Sequence, residues 1–167
     1  MSQILILGAG LSSSSLISYL LQQAGSKGWK VRIGDQSYDL AKSKVQGHPA
    51  GEAFAFDVFD EQLRDEAISK ADIVVSMLPA GFHPLVARAC LQHNCHMLCA
   101  SYVSDELREL EAAFKAKGLL LLAELGLDPG IDHMSAMKVI DTIRNSGHEL
   151  IGFETFTGGL LAANTDE

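Results

Sequence analysis

Short apolar runs alternate with helical patterns along most of the chain. Nearly all of the runs are continuous in apolar character or rich in β-branched residues, which is typical of strands buried on both faces. Between the runs, apolar residues recur at helical spacing. This alternation predicts an α/β protein with a doubly wound parallel sheet and right-handed crossovers. The predicted strands span residues 4–7, 30–33, 53–56, 73–77, 96–100 and 119–123, and the helical faces include Leu16, Leu20 and Leu21, and Leu107, Leu110 and Phe114.

Two helix starts are marked by polar residues. Ser104 is followed by Asp105 and Glu106, which puts a capping hydroxyl and two carboxylates in one first turn. Asp132 stands at the head of a later helix, whose apolar stripe we expect to serve packing. That stripe consists of Ile131, Met134, Met137 and Ile140.

The last part of the chain departs from the alternation. Residues 151–156 predict one more strand, which Gly158, Gly159 and a polar tail follow. No further strand follows that could pair with it. We therefore expect a first domain over residues 1–130 and, over residues 131–167, a connecting helix and the first strand of a second, truncated domain.

Composition and charge narrow the class of partner. The 167 residues carry a net charge of −8 with a pI near 5.1, so no basic field attracts the phosphates of a nucleic acid. No apolar run approaches the roughly 18 residues of a membrane span, and no secretory signal pattern is found. Three cysteines without a disulfide pattern fit a reducing compartment. We expect a cytoplasmic protein that binds small molecules rather than nucleic acids or membranes.

The first predicted strand is followed by a glycine-rich turn that resembles the dinucleotide-binding turn of Rossmann-like folds. Gly8 would permit the tight turn, and Gly10 would let the backbone approach a pyrophosphate. Ser13 stands where a third glycine keeps helix and strand close, and its hydroxyl can bond backbone groups at a helix start. The amides of Leu11, Ser12 and Ser13 would face the phosphates, helped by the positive end of the helix. A plain strand-to-helix turn is the alternative.

The end of the second predicted strand strengthens the dinucleotide hypothesis. Asp35 lies where such folds place the residue that binds the adenosine ribose, a little beyond the usual spacing of about 20 residues. A carboxylate can bind both ribose hydroxyls of NAD and would repel a 2′-phosphate, and Gln36 supplies no positive charge to offset this. The expected cofactor is NAD, with NADP as the alternative. For Asp35 itself, the alternative is an Asp that merely opens a solvated turn. At the next strand ends, Asp57 and Val58 would lie near the adenine, and Leu78 and Pro79 near the nicotinamide half.

Two clusters contain the residue types that bind metals, but no metal site is expected. The first has zinc-like spacing, yet it contains no C-x-x-C and lies partly in a strand that should be buried. Small buried thiols are the simpler account. In the second cluster, helix capping by Asp132 is favoured over metal binding. The clusters are Cys90, His93, Cys95, His96 and Cys99, and Asp128, Asp132 and His133.

Three segments match a known family pattern: Ser101-Tyr102-Val103-Ser104, the ten residues E-L-G-L-D-P-G-I-D-H at 124–133, and L-P-A-G-F-H-P-L-V-A-R-A-C-L, which contains His83 and Pro84. On these segments the sequence resembles the saccharopine dehydrogenase family, in particular its glutamate-forming branch, the saccharopine reductases. The resemblance spans essentially the whole chain. Members of the family are considerably longer, and their second domain begins with a Y-C-G-G-L-x-A-P-E segment. This chain departs from that segment at Thr157, Ala163 and Asn164.

The resemblance implies an NAD(P)-dependent oxidoreductase of lysine metabolism that is a homodimer when full length. In this family glutamate condenses with 2-aminoadipate 6-semialdehyde, and NADPH reduces the imine to saccharopine. Tyr102 could then bond a substrate carboxylate, and Asp128 could favour the cationic iminium. The family pattern usually has Arg where this chain has Gln36. The implied contacts are Gly8, Gly10, Leu11 and Ser12 for the pyrophosphate, Leu127, Asp128 and Pro129 for the nicotinamide, and Ser101, Tyr102 and Asp128 for saccharopine.

Two alternatives stay open at this point. The first is a non-catalytic nucleotide-binding module that senses or regulates, although such a module would need only the first half of the fold. The second is a related reductase that acts on polyamine-derived imines, because that group shares similar early segments. Substrate choice resides in the second domain, so the sequence does not separate this alternative from the saccharopine reductases.

Overall fold

The computed structural model describes residues 2–156 and residue 158. Within them, six strands form one sheet in the order β3-β2-β1-β4-β5-β6, and every neighbouring pair is parallel. This order is that of a Rossmann-like fold, which confirms the predicted doubly wound α/β architecture. The strands are β1 (Ser2–Leu7), β2 (Trp29–Asp35), β3 (Gly51–Ala55), β4 (Ile73–Ser76), β5 (His96–Cys99) and β6 (Leu121–Leu122). The helices are α1 (Ser14–Lys27), α2 (Tyr38–Val45), α3 (Glu61–Ser69), α4 (His83–Gln92), α5 (Asp105–Ala116) and α6 (Ile131–Asn145), and short 3-10 turns precede α1 (Leu11–Ser13) and α4 (Ala80–Phe82).

Both faces of the sheet are buried. Successive side chains of a strand point to opposite faces, so β1 contributes Leu5 and Leu7 to one apolar cluster and Ile4 and Ile6 to another. Helix α1 packs into the second of these clusters, whereas α4 and α5 pack into the first. Because the strands are parallel, their carboxyl ends lie along one edge of this two-sided core, and that edge presents the loops described below.

The helices bury their apolar faces largely as expected. The buried face of α1 is centred on Ile17, Leu21 and Ala24, slightly rotated from the predicted Leu16, Leu20 and Leu21. In α5, Leu107 and Phe114 are buried, and the Ser104 hydroxyl caps the helix by accepting from the backbone N–H of Leu107 at 3.3 Å.

Two features expected near the end of the chain are not seen in the described residues. Residues 151–156 do not form a strand, and Ile151 and Phe156 are 98% and 89% exposed. A strand needs a hydrogen-bonding partner, and no strand of the described chain pairs with this segment. The stripe on α6 does not pack either, since none of the described residues of that helix is buried. Thr157, Ala163 and Asn164, at which the sequence departs from the family segment, lie outside the described residues.

The chain divides after Asp132 into two compact units. The first unit holds the whole sheet and helices α1 to α5, and the second begins at His133 within α6. Across the described part of the chain, no helix is both long enough and apolar enough to cross a membrane.

Candidate functional site

The glycine-rich turn after β1 is built for close approach. Gly8 has a φ of +103°, and a Cβ there would lie 2.8 Å from the carbonyl oxygen of Met77, so only glycine fits. At Gly10 a Cβ would meet no atom within 4 Å, so the space beside this residue is open. Gly8 is therefore required by the protein itself, whereas Gly10 leaves room for a ligand to reach the backbone.

Ser13 stabilises this turn by hydrogen bonds to Gly10. It is fully buried, and both its hydroxyl and its backbone N–H donate to the carbonyl oxygen of Gly10, at 2.8 and 3.2 Å. The expectation that the Ser13 amide faces a phosphate is therefore wrong, because this amide is buried and already has an acceptor within the turn. The exposed residues Leu11 and Ser12 form the first turn of the helical segment, where the helix supplies no acceptor for the backbone N–H groups. These amides and the positive end of the helix fit an anionic group such as a pyrophosphate.

Asp35 connects the end of β2 to the glycine-rich turn. One carboxylate oxygen accepts from the backbone N–H of Ala9 at 2.7 Å, and the other accepts from that of Ser37 at 2.9 Å. Each oxygen keeps a further lone pair, so the carboxylate can still accept from ribose hydroxyls. Gln36 is exposed beside it.

The residues predicted near the two ends of the dinucleotide differ in accessibility. Asp57 is exposed and accepts from the backbone N–H of Phe59 at 2.9 Å. The side chain of Val58 is buried in the core, so only its backbone can serve a ligand. Leu78 is half-buried and packs against the same core. None of these residues lines the cavity described next.

A cavity of about 550 Å³ opens beside the ends of β5 and β6. The loop that forms one wall is tight: Gly126 donates to the carbonyl oxygen of Pro129 at 2.8 Å, and its own carbonyl accepts from Ile131 at 3.0 Å. A Cβ on Gly126 would lie 2.9 Å from the carbonyl oxygen of Ala100. The structure thus brings together one group of the predicted residues here, namely Ser101, Tyr102, Leu127, Asp128 and Pro129.

Tyr102 and Asp128 form a hydrogen-bonded pair in this cavity. The phenol donates to a carboxylate oxygen of Asp128 at 3.0 Å, although 26 residues separate the two in sequence. This bond stabilises the protonated phenol, and the pKa of Tyr102 is accordingly raised above its usual value. Both side chains are exposed, so both can reach a ligand.

His83 is a buried residue of the site to which the sequence analysis gave no role. Its Nδ1 lies 2.9 Å from Ser76 Oγ and its Nε2 lies 2.8 Å from Ser101 Oγ. Burial lowers the pKa of the imidazole. The available signal was a His-Pro pair at the head of a helix after a buried strand, but the contact joins three separate elements.

The fold buries the three thiols of the cysteine and histidine cluster. Cys90, Cys95 and Cys99 are buried free thiols, and His96 accepts from the backbone N–H of Leu120 at 2.9 Å. The hydrogen bond to Cys95, together with burial, raises the pKa of Cys90, and burial raises that of Cys99. Thiols held in this protonated form are poor metal ligands.

Comparison with known proteins supports the same family over both parts of the chain. The family model of the saccharopine dehydrogenase NADP binding domain matches residues 4–122, and that of the saccharopine dehydrogenase C-terminal domain matches residues 126–167. The saccharopine dehydrogenase [NADP(+), L-glutamate-forming] of Schizosaccharomyces pombe is 33% identical over 97% of this chain and 35% of its own length. The alpha-aminoadipic semialdehyde synthase of Arabidopsis thaliana is 35% identical over 95% of this chain and 16% of its own length.

A solved structure agrees. Apo saccharopine dehydrogenase (L-Glu forming) from Saccharomyces cerevisiae superposes with a TM-score of 0.77 at 30% identity, over 88% of this chain and 32% of that protein. The chain thus spans about a third or less of the length of these relatives. Since one family model covers most of the chain and a second covers the rest, the chain belongs to the saccharopine dehydrogenase family.

Proposed function

We propose that this chain is the dinucleotide-binding part of an NAD(P)-dependent oxidoreductase that acts on CH–NH donors. The reaction proposed is the interconversion of saccharopine with glutamate and 2-aminoadipate 6-semialdehyde, in lysine metabolism. The observation that carries the proposal is the Tyr102–Asp128 pair, which opens into a cavity beside the strand ends of a Rossmann-like sheet. Open α/β sheets bind their ligands at this edge.

The residues of the glycine-rich turn fit a dinucleotide. The open space at Gly10 and the amides of Leu11 and Ser12 would hold the pyrophosphate, and Asp35 would hold the adenosine ribose. Ser101, Leu127 and Pro129 would surround the nicotinamide, which supplies hydride chemistry when bound.

The cavity residues suit a substrate that carries both charges. The carboxylate of Asp128 would favour a cationic iminium carbon–nitrogen group over the neutral imine. Tyr102 keeps its proton because Asp128 accepts from it, so the phenol remains a donor near the reacting group. A substrate carboxylate could compete for that donor and release Asp128 toward the nitrogen.

The preferred form of the cofactor depends on residues 35 and 36. The matching family model and the fission yeast relative are named for NADP. Here the negative charge of Asp35 and the neutral amide of Gln36 stand where a 2′-phosphate would need a cation. We propose that NAD(H) binds more tightly than NADP(H), with NADP(H) as the alternative.

We propose a cytoplasmic location and a homodimeric state for the whole enzyme. The three cysteines are free thiols, which suits a reducing cytoplasm. The homodimeric state is proposed from the family resemblance, and measuring the mass of the longer protein in solution tests it.

The test compares this chain with a version extended to the length of its relatives. Oxidation of saccharopine with NAD⁺ or NADP⁺ is followed at the absorbance of the reduced nicotinamide, and binding of both dinucleotides is measured by calorimetry. We expect both proteins to bind nucleotide and only the longer one to turn over, because positioning of the imine contributes roughly 7–11 kcal/mol to such reactions.

Variants of the longer protein test the site. Tyr102→Phe and Asp128→Asn should each lower kcat/KM about a hundredfold or more, whereas Tyr19→Phe and Asp141→Asn on exposed helix surfaces should not. Unchanged turnover in both site variants would refute the site assignment. Tight nucleotide binding without turnover of any imine by the longer protein would favour the regulatory module, and turnover of a polyamine-derived imine alone would favour the related reductase.

A further inference from the structure

His83 forms a buried hydrogen-bonded bridge between two serines from different elements. Ser76 ends β4 and is fully buried, and His83 begins α4 with only 1% of its surface exposed. Ser101 follows β5 and lines the cavity that also contains Tyr102 and Asp128. The bridge therefore runs from the sheet interior to the wall of the candidate site.

The direction of these hydrogen bonds follows from the surroundings of Ser76. In the described part of the chain, His83 Nδ1 is the one partner of the Ser76 hydroxyl. A buried hydroxyl whose proton has no acceptor is unfavourable, so Ser76 donates and Nδ1 accepts. A neutral imidazole has one acceptor and one donor nitrogen, so the ring proton is on Nε2 and is donated to Ser101 Oγ.

These bonds also fix the direction in which the Ser101 hydroxyl can form a further hydrogen bond. Because its oxygen accepts from His83, its own proton is free to be donated into the cavity. We propose that His83 is a positioning residue that makes the Ser101 hydroxyl a hydrogen-bond donor toward an acceptor oxygen of the bound ligand. Two sources supply such an oxygen, the carboxamide of a nicotinamide and the carboxylate of an amino-acid substrate. The identity of the ligand rests on the proposed function, but the bond direction does not.

The first experiment measures the tautomer of His83 directly. Long-range ¹H–¹⁵N correlation spectra of the ¹⁵N-labelled 167-residue chain at pH 7 distinguish a proton on Nδ1 from one on Nε2. The His83 signals are assigned by their loss in His83→Gln. We expect a neutral ring with its proton on Nε2. A proton on Nδ1, or a doubly protonated ring, would overturn the proposal whether or not any ligand binds.

The second experiment uses a matched pair of variants. In His83→Asn the amide oxygen takes the place of Nδ1, so the bond from Ser76 is kept and the bond to Ser101 is lost. In His83→Gln the amide nitrogen takes the place of Nε2, so the bond to Ser101 is kept. A merely structural role would affect both variants alike. The proposal predicts that the Gln variant binds the ligand as the native chain does, and that the Asn variant binds it about three- to tenfold more weakly.

The probes are NADH and NADPH, with ADP-ribose and 2′-phospho-ADP-ribose as controls that lack the nicotinamide. A loss for the reduced dinucleotides alone identifies the carboxamide as the acceptor. If dinucleotide binding is unchanged, saccharopine binding to the longer protein should show the loss and identify the carboxylate. His96→Gln places no acceptor at the position of Nδ1, so it removes the hydrogen bond that the backbone N–H of Leu120 donates to His96. Together with melting temperatures, this variant controls for general destabilisation.

Equal affinities of the Asn and Gln variants for every probe would overturn the proposal. A failure of all dinucleotides to bind would instead refute the proposed function, and the tautomer measurement would still decide the role of His83.

Discussion

At the scale of a single residue, Asp35 forms hydrogen bonds with two segments of the candidate site. Its carboxylate accepts from the glycine-rich turn at Ala9 and from Ser37 beyond the strand, which fixes a negative charge at the end of β2. A 2′-phosphate about 4 Å away would meet repulsion on the order of 4 kcal/mol per unit charge at an effective dielectric of 20. The neighbouring Gln36 is the exposed position from which a cation could offset this charge.

Gln36→Arg should therefore raise the affinity for NADP(H) about tenfold, because it adds a charge-assisted bond to the 2′-phosphate. The affinity for NAD(H), which lacks that phosphate, should stay within about twofold. Calorimetric titration of both dinucleotides measures the change. Gln62→Arg adds the same charge on the exposed surface of α3 and should change neither affinity. A native chain that already prefers NADP(H) would contradict the role given to Asp35.

At the scale of elements, the pattern of apolar residues was enough to find the strands and their parallel arrangement. Runs buried on both faces and helices between them leave few other folds. The pattern failed at 151–156, because apolar residues predict a surface that can be buried and say nothing about the partner strand. The apolar pattern also could not predict the hydrogen bonds of His83, because contacts between residues 76, 83 and 101 depend on how three elements pack together. Tyr102 and Asp128 were found through a family motif and not through periodicity.

Ser13 tests the junction between β1 and α1. Ser13→Ala should keep the affinity for NAD(H) within a few-fold, because it removes one bond to Gly10 and no volume that the turn needs. Ser13→Leu should lower that affinity tenfold or more, because the larger side chain overpacks a fully buried position. Calorimetry gives the affinities, and Ser18→Leu on the exposed side of α1 is the matched control. Tight binding by Ser13→Leu would mean that this turn does not hold the dinucleotide.

At the scale of the whole molecule, burial of His83 links folding to pH. Burial lowers its pKa below the ordinary value of 6.5 that it regains on unfolding. As the pH falls through 6.5, the unfolded chain takes up a proton that the folded chain resists. The stabilising contribution is thus complete above that pH and is lost on acidification.

The melting temperature should consequently fall more steeply between pH 7.5 and pH 5 for the native chain than for His83→Gln, which has no titratable group at residue 83. Scanning calorimetry of both chains over this range, at about constant ionic strength, gives the difference. His48→Gln, a change at another histidine between α2 and β3, should leave the steep dependence in place. Parallel curves for the native chain and His83→Gln would show that the buried imidazole does not couple to folding.

The bond from Ala9 to Asp35 also constrains how cofactor preference can evolve in this lineage. A mutation that removes the carboxylate would relieve repulsion at the proposed adenosine end, yet in the same step it would remove a hydrogen bond from the turn proposed to hold the pyrophosphate. Such a change is disadvantageous for either dinucleotide until a second mutation repairs the turn. The accessible path leaves the aspartate in place and alters its exposed neighbour, so an old acidic residue can persist in descendants that have changed their cofactor.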